Sequence, residues 1–153
     1  MLRRVDTGGR TLRQEKSPAS KPVRLTVDGL SHEGRGVVRV GGKVGFVVGA
    51  LPEETIEAVP VRRHRRFDEY RLLRVEDASP RRVTPPCPIV DRCGGCSLQH
   101  LDHAAQLEHK TVVVRDLLAR QAGLEPGVLE APVHSAPFGY RRRARLAWYV
   151  PRR

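Results

Sequence analysis

The chain has 153 residues, 39% of them hydrophobic, and 28 lysines and arginines against 17 acids for a net charge of +11. The length suits one domain of ordinary size or two small ones. No apolar run nears the roughly 20 residues of a membrane span and no apolar h-region follows the N-terminus, so neither a membrane protein nor a secreted one is expected; the excess positive charge points instead to polyanions, through phosphate neutralisation and counterion release.

Residues 1–20 are polar, carry Arg3, Arg4, Arg10 and Arg13, and end in Ser-Pro-Ala-Ser, which reads as a disordered basic tail. Asp6, Glu15 and the Gly8-Gly9 pair argue against a transit peptide. Val23, Leu25 and Val27 then alternate with Arg24, Thr26 and Asp28, the period of a strand. Glycines follow at 29, 34 and 36. Residues 37–40 and 43–48 are two β-rich runs joined by Gly41-Gly42, a two-residue hairpin signal. In the second run Phe46 alternates with Val44 and Val48, which puts it in the core. Ile56 and Ala58 suggest a fourth strand, with Pro60 making it an edge or a bulge. The block Arg62-Arg63-His64-Arg65-Arg66 then forms a loop, and residues 70–75 close the set as a fifth strand. Five short strands with glycine-rich turns predict a mainly β, OB-like small barrel, closed or partly open, over 21–78.

Residues 79–88 hold four prolines and two arginines and read as a stiff linker. A small α+β segment is expected over 87–153. Asp102 can cap a helix whose face is Leu107, Thr111, Val114 and Leu118, and Gly123 can stop it. Residues 125–139 read as a loop. Ala144, Leu146, Trp148 and Val150 begin a strand that has nothing to pair with, so the segment is expected to be the truncated front of something longer.

All three cysteines lie within ten residues, Cys87, Cys93 and Cys96. An odd, clustered count is not a disulfide framework, and in a reducing compartment it suits a metal, which places the protein in the cytoplasm. Gly94 and Gly95 permit a tight turn that lets the Cys93 and Cys96 thiolates face one point. Iron–sulfur clusters use thiolates at such spacings; zinc would accept three cysteines and His100, four residues after Cys96. Spacing alone leaves the two metals open.

The stretch CPIVDRCGGCSLQHLDHAAQLEHK, residues 87–110, resembles the signature of the RNA (uracil-5-)-methyltransferase family. LTVDGLSHEGRGVVRVGGKVGFVVGALPEET, residues 25–55, resembles the TRAM domain that precedes that signature, and GYRRRARL, residues 139–146, resembles the start of the family's central domain. The resemblance implies a TRAM barrel and a structural 4Fe–4S cluster held by Cys87, Cys93 and Cys96. It also implies a fourth cysteine ligand beyond Arg153, so that His100 is not a ligand. The family transfers a methyl group from S-adenosylmethionine to C5 of uracil, with a cysteine nucleophile and a carboxylate base in a C-terminal Rossmann-like domain. No part of this sequence resembles that domain, and EGRGVV, residues 33–38, lacks the third glycine of a cofactor loop. Catalytic residues are therefore expected to be absent from the chain, which alone should be inactive.

RNA contacts are expected from Arg62, Arg63, Arg65 and Arg66, from Phe67 as a stacking platform beside them, and from Arg141, Arg142, Arg143 and Arg145. His32, His64, His103, His109 and His134 read as surface residues. The leading reading is a monomeric N-terminal portion of a 23S rRNA uracil-C5 methyltransferase, with RNA as partner and no membrane. The rival is a free-standing RNA-binding module with a Cys3His zinc site at Cys87, Cys93, Cys96 and His100.

Overall fold

The structure is a computed structural model, and it describes residues 21–125, 127 and 129–143. The basic tail, Arg145 and the strand expected at Ala144, Leu146, Trp148 and Val150 lie outside the described residues. The chain divides into two compact units, Met1–Val113 and Val114–Arg153.

The first unit is mainly β. Its strands are β1 (Val23–Thr26), β2 (Gly29–Leu30), β3 (Gly36–Val40), β4 (Lys43–Val48), β5 (Thr55–Arg63) and β6 (Phe67–Asp77). They form one mixed sheet in the order β1-β5-β6-β4-β3-β2. All pairings are antiparallel except β4 with β6, which is parallel. β1 and β2 sit at opposite ends of that order, yet only Val27 and Asp28 separate them in the chain. One bent N-terminal segment thus supplies both margins of the sheet. Val27 N–H donates to Glu54 O at one margin and Asp28 N–H to Val37 O at the other. The sheet curls accordingly into a barrel-like, unclosed shape.

The sequence signals act where expected. Gly41 and Gly42 take φ of 58° and 80°, the left-handed values a two-residue hairpin turn demands, and Val40 pairs with Lys43 across them. β1 covers β5 only up to Ala58, so β5 is an edge from Val59 onward. A register shift follows between Pro60 and Arg62, at the place where proline removes a ladder donor. β2, a glycine and a leucine, is too short for a periodicity signal.

The core contains Val27, Val38, Val47, Ala50, Ile56, Ala58 and Tyr70. Phe46 is not among them, which corrects the expectation. The phase Val44, Phe46 and Val48 is the apolar one by sequence, yet the structure turns Gly45 and Val47 of the other phase inward, leaving Phe46 partly exposed on the outer face. Gly45 decides the phase. A Cβ there would stand 2.6 Å from Tyr70 Cε2 and 2.8 Å from Val38 Cγ2. Gly45→Ala should therefore destabilise the fold by about 1–3 kcal/mol, the usual cost of overpacking. Gly29→Ala, with nothing within 4 Å of the added carbon, should stay within about 0.5 kcal/mol. Urea melts of the two variants check this, and equal midpoints would contradict the packing argument.

Beyond β6 the chain stays on the barrel. Ser79 is buried, Arg82 bridges antiparallel to Leu101, and Val83 N–H donates to His100 O. The first residues of the stretch expected as a linker are therefore held by the barrel. A second core of Leu51, Leu101 and Ala105, flanked by Leu30 and Leu98, seats the segment that follows the cysteines. Gly34, with φ of 78°, leaves room for Leu98, whose Cδ2 would lie 2.8 Å from a Cβ at that position. The glycines of EGRGVV thus serve a turn and a close packing contact.

Helix α1 (Val90–Cys93) is a single turn, and α2 runs His103–Leu117. Asp102 caps α2 as expected, its Oδ1 accepting from Ala105 N–H at 2.8 Å. The face named from the sequence is not the one that α2 buries in the first unit: its buried residue is Ala105, while Val114 is exposed. Helical chain continues with wider turns through Leu118–Ala122 and ends at Gly123 with φ of 63°.

Candidate nucleic-acid interface and thiol site

The basic block forms the tip of the β5–β6 hairpin. Arg62 and Arg63 end β5, His64 to Arg66 make the turn, and Phe67 opens β6. His64 N–H donates to Phe67 O at 3.0 Å and closes the turn. Lys43, from β4, donates to the carbonyl of His64 and pairs with Asp68 at 2.7 Å. The Asp68 carboxyl lies below its usual range, chiefly because of the hydrogen bond from Lys43, with burial opposing and the charges of Lys43 and Arg63 assisting.

The charges here divide into two kinds. Arg24, Arg35, Arg39, Lys43, Arg74, Arg81 and Arg82 each have a carboxylate within ion-pairing distance. Arg62, Arg63, Arg65 and Arg66 are all exposed, and among the described residues none of them forms an ion pair. Four exposed guanidiniums, beyond ion-pairing distance of any carboxylate among the described residues, are therefore gathered at one hairpin tip.

Beside them runs a ladder of rings that the sequence reading missed in part. The Arg35 guanidinium lies over the Phe46 ring at 4.6 Å. Phe46 meets Phe67 edge to face at 5.5 Å, and Phe67 stacks on His64 at 4.3 Å with 25° between planes. Glu69 stands behind, 3.7 Å from His64 Nε2 and 4.0 Å from Arg35 Nη1. Phe67 thus lies beside the arginine block, joined by Phe46 and by a His64 that is not free surface. His109 is likewise half-buried; burial pushes its imidazole down, against a hydrogen bond to the Ser31 backbone. The signal that could have found Phe46 is the glycine before it, since a strand position without a side chain leaves its own face for a neighbour's ring.

Arg141, Arg142 and Arg143 belong to the second unit and are exposed, with Arg141 5.7 Å from the Tyr140 ring centroid. Arg145 lies outside the described residues.

Cys87 precedes α1, Cys93 ends it, and Gly94 caps it with φ of 67°. All three thiols are free, and Cys93 and Cys96 are exposed. In donor chemistry this set suits a soft metal centre. In arrangement it is open: among the described residues no three His, Cys, Asp or Glu side chains converge as a metal group. His100 is not gathered with the thiols either. Its ring is half-buried and its Nε2 is enclosed without a hydrogen-bond partner. Burial first, then the charge of Arg82, push its imidazole below the ordinary histidine range, while Glu54 and Asp91 oppose.

A buried clasp holds this segment to the barrel, and no local residue pattern announces it. Glu54 is 0% exposed. Arg82 Nε and Nη2 donate to its two carboxylate oxygens at 2.5 and 2.8 Å, and Nη2 also donates to Gly49 O at 2.7 Å. Leu51 N–H and Ser79 N–H complete the shell at 2.8 and 3.3 Å. Burial works to raise the Glu54 carboxyl, but the Arg82 and backbone bonds outweigh it and hold it below its usual value.

Comparison with known proteins gives the following. No family model matches the chain. It is 44% identical over 133 residues to the 23S rRNA (uracil(1939)-C(5))-methyltransferase RlmD of Acidithiobacillus ferrooxidans, which covers 87% of this chain and 30% of that protein. The RlmD of Halomonas elongata is 50% identical over 134 residues, covering 86% and 28%, and that of Pseudomonas putida 42% over 154 residues, covering 99% and 34%. A solution structure of a conserved protein from Methanococcus maripaludis aligns with 46% of this chain and 100% of its own at 20% identity and a TM-score of 0.35. Over nearly its whole length, then, the chain is similar to the N-terminal part of the RlmD 23S rRNA uracil-C5 methyltransferases, and it spans about a third of those proteins.

Proposed function

We propose that this chain is the RNA-binding portion of an S-adenosylmethionine-dependent 23S rRNA uracil-C5 methyltransferase of the cytoplasm. The barrel is read as a TRAM-type module that grips RNA phosphates. Cys87, Cys93 and Cys96 are read as ligands of a structural 4Fe–4S cluster, which would cross-link the loop around α1. Methyl transfer is assigned to no residue of the 153.

The observation that carries the RNA reading is the hairpin tip, where Arg62, Arg63, Arg65 and Arg66 are exposed without carboxylate partners. A guanidinium already paired must give up its carboxylate to take a phosphate; these four need not. Each phosphate neutralised on single-stranded RNA contributes about 0.7 to the slope of log affinity against log salt. Replacing all four by alanine should therefore lower the slope by up to about 3 and weaken binding most at low salt. A fluorescence-anisotropy titration of labelled rRNA fragments from low to high salt reads both. Parallel lines for parent and variant would take the hairpin tip off the binding surface.

A further inference from the structure

The ladder beside the arginines has a feature that phosphate binding does not use. Phe46 and Phe67 stand on the outer face of the barrel, where each apolar ring is only partly covered. His64 covers one face of Phe67, and its own side chain keeps 32% of its exposure. Its neighbours on either side in sequence are the unpaired Arg63 and Arg65. The acids nearby already have cations beside them, Asp68 with Lys43 and Glu69 with Arg35. A partly exposed aromatic ring stacked on Phe67 and set between two exposed arginines suits a flat, electron-rich ring carried on a polyanion. It does not suit a duplex, whose bases are covered by their own neighbours.

Resting on the RNA-binding reading above, we infer that one unpaired base of the bound strand stacks on His64, extending the order Phe46, Phe67, His64, while Arg63 and Arg65 hold the phosphates on either side of it. Arg35 anchors the far end of the ladder through its cation–π contact with Phe46. The hairpin tip then prefers single-stranded RNA over a duplex of equal charge. It does so without reading sequence, since every base has a face that stacks.

The test compares His64→Ala and His64→Phe with the parent. The backbone contacts of residue 64, its N–H to Phe67 O and its carbonyl to Lys43 Nζ, do not depend on its side chain, so both variants keep the turn. Anisotropy is read on a short single-stranded RNA and on a duplex of the same length, and a 2-aminopurine placed along the single strand reports stacking directly. His64→Ala should weaken single-strand binding on the order of tenfold. It should leave duplex affinity and the salt slope unchanged and relieve the quenching of 2-aminopurine. His64→Phe should restore both affinity and quenching. If His64→Ala bound single strand as the parent does, or lost duplex equally, the stacking site would be overturned while the phosphate reading stood. A parent with no salt-dependent affinity for either RNA would overturn the phosphate reading itself, and the stacking site with it.

Discussion

Arg82→Ala should be the most damaging single substitution outside the cores, costing about 3–5 kcal/mol, the range for removing one partner of a buried ion pair. It leaves the Glu54 carboxylate at zero exposure with only two backbone N–H donors, and it strips Gly49 O of its bond. A domain's whole stability is about 5–15 kcal/mol, so a large share is at stake. The double variant Glu54→Met with Arg82→Met should recover most of the loss, because no charge is then left buried. Urea melts measure both, and an Arg82→Ala midpoint within error of the parent would show that the pair contributes nothing to stability.

The same clasp sets a sign for acid stability. The Glu54 carboxyl is lower in the folded chain than its ordinary value of 4.5, so its contribution is full above that value and is lost as pH falls through the folded one. His100 acts earlier. Its folded value lies below the ordinary 6.5, so the folded state refuses a proton that the unfolded state accepts, and stability begins to fall as pH drops below about 6.5. In Arg82→Ala the donor that depresses Glu54 is gone while its burial remains. The acid limb of the melt curve should accordingly move to higher pH. A limb that stayed in place would assign the parent's acid sensitivity to other groups.

An all-or-none effect is expected at the thiols. Anaerobic reconstitution with iron and sulfide should give a brown species, since three free thiols share one short loop and two are exposed. Metal binding here should be coupled to local ordering, because a ten-residue loop with two glycines has little order of its own. Cys93→Ser should abolish the colour, and His100→Ala should leave it, as the His100 ring is half-buried near the charges of Arg82 and Glu54 and, among the described residues, forms no three-ligand group with the thiols. Zinc retained through purification, with an affinity that collapsed in His100→Ala, would favour the Cys3His module instead.

How much of this was legible in the sequence depends on the range of the interaction. The β3–β4 hairpin, the Asp102 cap and the Gly123 stop are written in neighbouring residues, and each is found where the residues put it. The choice of strand face at Phe46 was not local. In KVGFVV the more apolar phase, Val44-Phe46-Val48, faces outward, and the decision falls to Tyr70 on β6, whose ring fills the space above Gly45. The clasp was hidden for the same reason: Glu54 and Arg82 are paired only after β5 and β6, which lie between them in the chain, have folded back on each other. The hairpin tip was legible as a charge run, but that its arginines are unpaired while their neighbours are paired is a property of the folded surface. The thiol spacing suggested a metal site, but among the described residues no three ligand side chains converge there.

The N-terminal segment that supplies both margins of the sheet has a consequence for the order in which the chain can fold. β3 with β4 and β5 with β6 are hairpins, closed by partners that are synthesised next to one another. β1 must wait for β5, far later in the chain, and β4 must wait for β6 to pair in parallel. Distant pairings of this kind are slow because loop closure precedes any return from contact. The two hairpins should therefore exist before the segment spanning Val23 to Leu30 docks, and the arginine-bearing tip belongs to one of them. A nascent chain would present its arginine-bearing hairpin while the barrel is still open, and the last strand to settle would be the first one made.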